Sequence, residues 1–227
     1  MRAGGVPLVG VGQLSKTYRE GSVETEVLRN IDFELGRGET TSLTGVSGSG
    51  KSTLISLLAG LLLPDAGRIV FDGEDITGLD EAERARLRAR RVGVVLQSGN
   101  LIPFLTAVEN VELAIDLAGG DHAGARAREL LSELGLSRRL DHLPHRMSGG
   151  EAQRVSVAMA LANEPDLLLA DEVTGELDSA SAEQVMSVIL DAWGERGLTV
   201  LFVTHSPELA GRAQRRLHLE DGKVEEV

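Results

Sequence analysis

The sequence contains no cysteine and few aromatic residues, with one tryptophan, one tyrosine and four phenylalanines among its 227 residues. The absence of cysteine excludes a disulfide framework, a thiolate metal site and a cysteine nucleophile. The sequence also lacks a long apolar run. The longest, Leu54 to Leu63, is interrupted by Ser56 and followed by Pro64, whereas a membrane-spanning helix needs ~20 apolar residues. Residues 1–7 lack the apolar centre of a signal peptide, so we expect a cytoplasmic protein.

Basic residues are scarce as well. The formal net charge is −12, with 23 lysines and arginines against 35 aspartates and glutamates. The lysines are Lys16, Lys51 and Lys223. A dedicated nucleic-acid binder needs a basic face, so this balance argues against that class. It does not exclude a local basic site, because surface charges more than about 8 Å apart are largely screened at physiological salt.

Helical and strand patterns alternate along the chain. Leucines at i, i+3, i+4 and i+7 predict a helix over Leu54–Leu61. Asp80 followed by Glu83 is a capping-box pattern that marks the start of a second helix. An apolar run followed by Asp72-Gly73 predicts a β-hairpin.

Two short apolar runs, Leu167–Ala170 and Thr199–Val203, are separated by a helical segment, which is typical of parallel strands buried on both faces. We therefore predict an α/β fold in a single domain, residues 1–227. Its expected parts are a core with an antiparallel β portion (residues 1–97 and 165–227) and an inserted helical subdomain (residues 98–164).

One segment between a predicted strand and a predicted helix matches the pattern G-x-x-x-x-G-K-[ST]. This segment, here called the phosphate loop, consists of Gly45, Val46, Ser47, Gly48, Ser49, Gly50, Lys51 and Ser52. Its glycines let backbone N–H groups face phosphate oxygens, and the following helix start favours anions. Lys51 is expected to reach the β/γ-phosphates and Ser52 to bind Mg²⁺. The alternative is a chance glycine-rich loop, but the strand–loop–helix context indicates a nucleotide site.

Polar residues follow three further predicted strands. Asp171 and Glu172 end an apolar strand, where an aspartate can hold Mg²⁺ and a second carboxylate can polarise the attacking water. Gln97 and His205 also follow strands, and ligands collect at the carboxyl ends of parallel strands. The alternatives are a solvated acidic turn for the carboxylates, and a plain strand end or capping residue for Gln97 and His205.

A glycine pair precedes another predicted helix. In the segment Ser148–Glu151, the serine can cap the helix, and Gly149 and Gly150 leave backbone N–H groups open to an anion. Taken alone, this pattern is equally typical of an ordinary helix start.

Together these motifs resemble those of the ATP-binding cassette (ABC) ATPases. The residues that carry the resemblance in order and spacing are Tyr18, the phosphate loop, Gln97, Ser148–Glu151, Asp171, Glu172, Asp178 and His205. The resemblance covers almost the whole chain. It implies a P-loop NTPase (RecA-like) core with an N-terminal antiparallel β subdomain and an inserted α-helical subdomain, and it implies ATP and Mg²⁺ as ligands.

The resemblance implies a role for each matching residue in ATP binding and hydrolysis. Tyr18 is expected to stack on adenine, and the phosphate loop with Thr53 to bind the triphosphate. The residues expected to contact Mg²⁺ are Ser52, Gln97 and Asp171. The residues expected to act in catalysis are Lys51, Gln97, Glu172 and His205.

The resemblance also implies two partners and no nucleic acid. Ser148, Gly149, Gly150 and Glu151 match the family's signature segment, which contacts the nucleotide bound by an opposing copy, and Asp178 matches a residue at that dimer interface. Two copies are therefore expected to enclose two ATP–Mg²⁺. A separate membrane permease, contacted through Gln97, is expected to hold the protein at the inner face of the cell membrane.

The chain departs from the usual family pattern in and near these motifs, at Met147, Ala152, Met159, Val173 and Glu176. The two carboxylates Asp171 and Glu172, the phosphate loop and the signature segment are all present. We therefore expect the chain to hydrolyse ATP. Glu176 adds a negative charge near the interface, and our hypothesis is that this charge weakens dimer closure.

Two stretches indicate the subgroup and bear on the alternatives. Tyr18–Leu28 and Asn100–Val111 resemble ATPases of the lipoprotein-release, macrolide-export and cell-division group. One alternative is a soluble ABC ATPase that acts on nucleic acid or in cell division rather than in transport. Another is a P-loop kinase, although the signature segment and Glu172 argue against phosphoryl transfer to an acceptor.

Overall fold

The computed structural model describes residues 6–97, 100–175 and 177–227. The strands are β1 (Val9–Glu20), β2 (Val23–Leu35), β3 (Thr40–Thr44), β4 (Ala66–Phe71), β5 (Glu74–Asp75), β6 (Val92–Val95), β7 (Leu167–Ala170), β8 (Thr199–Val203), β9 (Arg215–Glu220) and β10 (Lys223–Glu226). The helices are α1 (Lys51–Leu58), α2 (Glu81–Arg91), α3 (Ala107–Leu117), α4 (Ala123–Glu133), α5 (Gly149–Leu161), α6 (Ser179–Arg196) and α7 (Pro207–Ala210), with a 3-10 turn at Pro144–Arg146.

The strands form two sheets. A four-stranded antiparallel sheet has the order β2-β1-β4-β5, and a six-stranded sheet has the order β10-β9-β3-β8-β7-β6. In the larger sheet, β6, β7, β8, β3 and β9 run parallel, while β10 returns antiparallel at the edge. The predicted α/β fold with an antiparallel β portion is confirmed.

Three apolar clusters hold the layers together. The first joins the antiparallel sheet and α1 to one face of the larger sheet, around Leu14, Leu54 and Leu201. The second packs α5 and α6 on the opposite face, so β7 and β8 are buried on both faces, as their unbroken apolar runs predict. The third lies among α3, α4 and α5, within the segment predicted to be helical.

The first predicted helix ends earlier than expected. Helix α1 stops at Leu58 rather than Leu61, because Gly60 adopts a positive φ of 65° and turns the chain out of the helix. Leu61 is consequently 46% exposed instead of facing the core. The leucine spacing was correct for the first turns, but helical periodicity alone does not mark where a helix stops.

The predicted capping box and hairpin are both present. The Asp80 carboxylate accepts a hydrogen bond from the Glu83 N–H at 2.8 Å, and the Glu83 carboxylate accepts one from the Asp80 N–H at 2.9 Å. Asp72 and Gly73 both have positive φ and connect β4 to β5. None of the helices in the described part of the chain is long and apolar enough to cross a membrane.

Helix α5 lies very close to β6, and this contact yields a stability prediction. A Cβ on Gly93 would stand 2.3 Å from the Ala160 carbonyl oxygen. Gly93→Ala should therefore force α5 away from β6 and destabilise the fold by about 1–3 kcal/mol, as over-packing usually does. Thermal unfolding measures the effect.

Gly194 in α6 provides the matched control, because a Cβ there meets nothing within 4 Å. Gly194→Ala should leave stability unchanged or raise it by about 0.5–1 kcal/mol, the usual helical preference for alanine. A Gly93→Ala protein with a Tm equal to or above that of the unmodified protein would show that α5 and β6 are not in this contact.

Candidate active site

The phosphate loop connects the end of β3 to the start of α1. Lys51 is the first residue of α1 and is only 5% exposed. Its ammonium donates hydrogen bonds to the carbonyls of Gly45, at 3.0 Å, and Val46, at 2.8 Å. The phosphate loop therefore curves around the ammonium group of Lys51, which is the one basic side chain of the segment.

Two glycines of the phosphate loop are required by close packing as well as by backbone conformation. A Cβ on Gly45, at φ 152°, would lie 2.3 Å from the Leu219 carbonyl oxygen. A Cβ on Gly50, at φ 104°, would lie 2.6 Å from a methyl carbon of Val27. The loop is thus seated against β9 on one side and β2 on the other, and neither position accepts a side chain without displacement.

Asp171 stands directly after β7, beside the start of α1. The residue is 5% exposed, its N–H donates to the Val95 carbonyl at 2.8 Å, and the Ser52 side chain lies close to its carboxylate. Burial raises the pKa of Asp171 above its usual value, and the neighbouring charge of Glu172 raises it further, while Ser52 and Lys51 lower it. The fold therefore holds a carboxylate in a place that disfavours its ionised form.

These oxygens fit a bound Mg²⁺ ion. Asp171 Oδ1 is buried and has no hydrogen-bond partner within the described residues, the Ser52 hydroxyl lies nearby, and Mg²⁺ prefers oxygen ligands of this kind. The described residues contain no cluster of three or more histidine, cysteine or acidic side chains able to hold a metal. A Mg²⁺ ion here would therefore complete its shell with phosphate oxygens and water, as it usually does in nucleotide sites.

Glu172 is paired with His205 across the ends of β7 and β8. His205 Nε2 lies 2.7 Å from Glu172 Oε1. Glu172 has a φ of 49°, which is uncommon for a residue other than glycine and directs its side chain at this edge of the sheet. Glu172 lines two cavities: one of about 730 Å³ shared with His205, and one of about 270 Å³ shared with Gln97.

Tyr18 lies near the exposed side of the phosphate loop. It is 43% exposed, and its hydroxyl is 3.4 Å from the Thr53 hydroxyl in α1. The ring is therefore open to solvent beside the first turn of α1, where an aromatic face is available for stacking.

The signature segment (Ser148–Glu151) forms the start of α5, and the Glu151 carboxylate is bound by neighbouring groups of the same chain. The Ser148 hydroxyl accepts from the Glu151 N–H, and Glu151 Oε2 accepts from the Ser148 N–H at 2.8 Å. Glu151 Oε1 accepts from Arg139 Nε at 2.7 Å. These contacts, the Ser148 backbone hydrogen bond above all, lower the pKa of Glu151. Sequence reasoning did not identify Arg139, which lies outside the motifs, before the signature segment.

The starts of α5 and α6 are packed against each other. Asp178 caps α6 by accepting from the N–H groups of Ala180 and Ser181, and from the Ser181 hydroxyl at 2.7 Å. A Cβ on Gly150 would lie 2.8 Å from that same hydroxyl, whereas one on Gly149 would meet only Leu177, at 3.6 Å. Ser181 thus joins Asp178 to the signature segment, a contact that the Asp-x-x-Ser spacing suggests only as a helix cap.

The structure brings most, but not all, of the predicted site residues together. Lys51, Ser52 and Asp171 form one group, and Gln97, Glu172 and His205 line the adjoining cavities. Within the described residues, the signature segment makes no hydrogen bond or ion pair to the phosphate loop. Glu176 lies outside the described residues, so its effect on closure stays a hypothesis.

Comparison with known proteins shows the family to which the chain belongs. A family model described as ABC transporter matches residues 28–175. The chain is 44% identical over 221 residues to the ABC transporter ATP-binding protein YbbA of Escherichia coli (strain K12), covering 96% of this chain and 97% of that protein. It is 45% identical over 214 residues to the lipoprotein-releasing system ATP-binding protein LolD 1 of Caulobacter vibrioides. That match covers 93% of this chain and 92% of that protein.

A third relative is much longer than this chain. Identity to the macrolide export ATP-binding/permease protein MacB of Syntrophobacter fumaroxidans is 43% over 222 residues, which is 96% of this chain but 31% of that protein. Among solved structures, a dimeric post-hydrolysis state of the ATP-binding cassette MJ0796 bound to ADP and Pi has a TM-score of 0.90. Its sequence is 38% identical to this chain, and the match covers 96% of each chain.

The fold and the grouped phosphate-loop, aspartate and glutamate residues define a P-loop nucleotide hydrolase. The chain belongs to the ABC transporter family, and its domain is the ATP-binding, ATP-hydrolysing domain of that family. The predicted resemblance to the lipoprotein-release and macrolide-export group is confirmed by the relatives LolD and MacB.

The buried carboxylate of Asp171 yields a prediction with opposite effects on stability and activity. Its pKa is raised in the fold, so the ionised carboxylate opposes folding at any pH above the ordinary carboxyl pKa. Asp171→Asn should therefore raise Tm at pH 7, measured without nucleotide or metal, and the gain should shrink as the pH is lowered. The same variant should lose most ATP hydrolysis, because it replaces the charged carboxylate expected to bind Mg²⁺ with a neutral amide.

Asp178→Asn is the matched control. Hydrogen bonds from Ser181 lower the pKa of Asp178, so the ionised form is favoured in the fold and its removal should not raise Tm. If Asp171→Asn lowers Tm while Asp178→Asn leaves it unchanged, the burial penalty assigned to Asp171 is wrong.

Proposed function

We propose that this chain is the ATPase subunit of an ABC transporter of the lipoprotein-release or macrolide-export type. It pairs with a second copy around two ATP–Mg²⁺ and drives a separate membrane permease. One observation carries the proposal: the phosphate loop, Asp171 and Glu172 lie together, whereas the signature segment begins α5 with Gly149 open to solvent. The signature segment of a second copy would complete the site around the phosphate loop of the first. The dimeric structures of the cassette MJ0796 support this pairing.

In this proposal, catalysis relies mainly on charge stabilisation. Lys51 and the N–H groups of the phosphate loop bind the β- and γ-phosphates and neutralise the charge that develops on them. Ser52, Asp171 and Gln97 would hold Mg²⁺, which would supply further positive charge to stabilise the phosphates. The adenine stacks on Tyr18, and Thr53 assists the phosphate loop.

Glu172 is the residue that acts on the attacking water. Its carboxylate orients the water and accepts its proton as the water oxygen bonds to the γ-phosphorus, while the bond from that phosphorus to the β,γ-bridging oxygen breaks and ADP leaves. His205, 2.7 Å from Glu172, restrains that carboxylate and lies where the γ-phosphate is expected. The strained backbone at Glu172 helps to hold the side chain in place before substrate arrives.

The signature segment acts on the nucleotide of the opposite copy. Its N–H groups, at the positive end of the 13-residue helix α5, are suited to a γ-phosphate. Ser148, Gly149 and Gly150 make that contact. Glu151 shapes the segment through Arg139 rather than by touching the nucleotide, and Asp178 positions the interface through Ser181.

A groove lined by Leu96, the residue before Gln97, is suited to the permease. Its volume is about 520 Å³, and its lining includes Leu61, Leu96, Leu117 and Met159. Leu61 and Leu117 are exposed apolar side chains, and such patches mark contact sites. A permease segment held there would place the protein at the cytoplasmic face of the membrane and would sense movements of Gln97.

A Glu172→Gln variant, expected to hold the dimer in its ATP-bound state, tests the paired site. Glu172→Gln should bind ATP, hydrolyse it at least about 100-fold more slowly than the unmodified protein, and elute as a dimer in gel filtration when ATP and Mg²⁺ are present. Glu208→Gln, which changes an exposed acid lining the same cavity as His205, is the control and should behave like the unmodified protein.

An intact Glu172→Gln protein that binds ATP and stays monomeric contradicts pairing of the isolated subunit. Two further measurements separate the alternatives. Release of free phosphate with no acceptor present distinguishes hydrolysis from a kinase reaction. Purification in complex with an integral-membrane permease distinguishes transport from action on nucleic acid.

A further inference from the structure

A buried amide in α5 has a hydrogen-bond donor without an acceptor. Gln153 is 8% exposed, and its Nε2 has no hydrogen-bond partner within the described residues. Buried polar groups in folded proteins nearly always have a partner, either in the protein or in ordered water. The unpaired donor of Gln153 therefore indicates an acceptor that occupies the space beside it.

The space beside Gln153 is the cavity shared by Gln97 and Glu172. This cavity has a volume of about 270 Å³ and is also lined by Gly149 and Ser156. A water molecule occupies about 30 Å³ of liquid, so the cavity has room for several, and its polar lining can hold them. An acceptor for Gln153 is therefore available without any movement of the chain.

We propose that Gln153 is a positioning residue: its Nε2 donates to ordered water in this cavity, and that water donates to the carboxylate of Glu172. Glu172 is then held from two sides, by His205 on one side at 2.7 Å and by the Gln153 water on the other. The inference rests on the proposed function, because it assigns Gln153 its effect through Glu172.

The position of Gln153 connects this water to the signature segment. Gln153 lies four residues after Gly149, one helical turn further along α5, so the two residues share a face of the helix. Any shift of α5 that follows contact between Gly149 and the opposing nucleotide moves the donor of Gln153 too. The hydrogen bond to Glu172 therefore links engagement of the signature segment to the readiness of the water-activating carboxylate.

The test compares two replacements that separate hydrogen bonding from packing. Gln153→Met keeps the volume but removes the donor, and should lower kcat for ATP about three- to tenfold with KM changed less than about twofold. Gln153→Asn leaves a gap but keeps the amide donor, and should retain more than about half of the kcat because water fills the gap. A packing role predicts the reverse order, with Met the better replacement.

Ser156→Ala is the control. Ser156 lines the same cavity on the same helix, but its hydroxyl donates to the Ala152 carbonyl at 3.3 Å, so its removal should leave kcat unchanged. If Gln153→Met fails to fold, Gln153→Glu takes its place, since it is equal in size and has no donor when ionised. A Met or Glu variant as active as the unmodified protein, or an Asn variant no better than Met, would overturn the proposal.

The outcomes also separate this inference from the proposed function. If the unmodified protein releases no phosphate from ATP, alone or with its permease, the proposed function fails. If the unmodified protein and Ser156→Ala hydrolyse ATP and the Gln153 variants do so equally well, only the role of Gln153 fails.

Discussion

The parallel pairing of β3, β8, β7 and β6 is the constraint on which the site depends. The register places Leu43 opposite Val203, Phe202 opposite Ala170 and Ala170 opposite Val95, so the four strands end almost level with one another. The phosphate loop follows β3, and His205 follows β8. Asp171 and Glu172 follow β7, and Gln97 follows β6. Residues far apart in the chain thus meet at one edge without any local signal that joins them.

This arrangement carries a cost in stability that nucleotide binding can relieve. Asp171 is buried where its charged form is disfavoured, Glu172 has a positive φ, and Ser49 and Asp171 have polar atoms without partners in the described part of the chain. Each of these features weakens the empty protein and provides a group for a ligand to satisfy. The nucleotide-free protein is therefore less stable than its packing alone suggests, and under the proposed function the binding of ATP with Mg²⁺ should stabilise the fold.

Sequence reasoning succeeded where the chemistry is local. The phosphate-loop pattern, the Asp72-Gly73 hairpin and the Asp80 capping box depend on residues within a few positions of each other, and the structure contains all three. The end of α1 was mispredicted because Gly60 outweighs the leucine spacing at Leu61.

The remainder of the site depends on contacts between distant segments. Arg139 reaches Glu151, Ser181 of α6 packs against Gly150 at the start of α5, and Gln153 faces a cavity beside Glu172. No spacing rule identifies these contacts, because they depend on how α5, α6 and the larger sheet pack. The same is true of Gly45 and Gly50, whose neighbours Leu219 and Val27 lie on other strands.

The central claim is that each catalytic site takes its phosphate loop from one copy and its signature segment from another. Mixing two inactive variants tests it most directly. Lys51→Ala should disable the loop, and Gly149→Glu should place a carboxylate where the opposing phosphate is proposed to bind, at a position where a Cβ meets only Leu177, at 3.6 Å. Each variant alone should hydrolyse almost no ATP.

In a mixed dimer both defects fall in one site and the other site is intact. An equal mixture should therefore recover up to about a quarter of the wild-type rate, because half of the dimers are mixed and each has one intact site. A mixture no more active than the two variants measured separately would contradict the shared site.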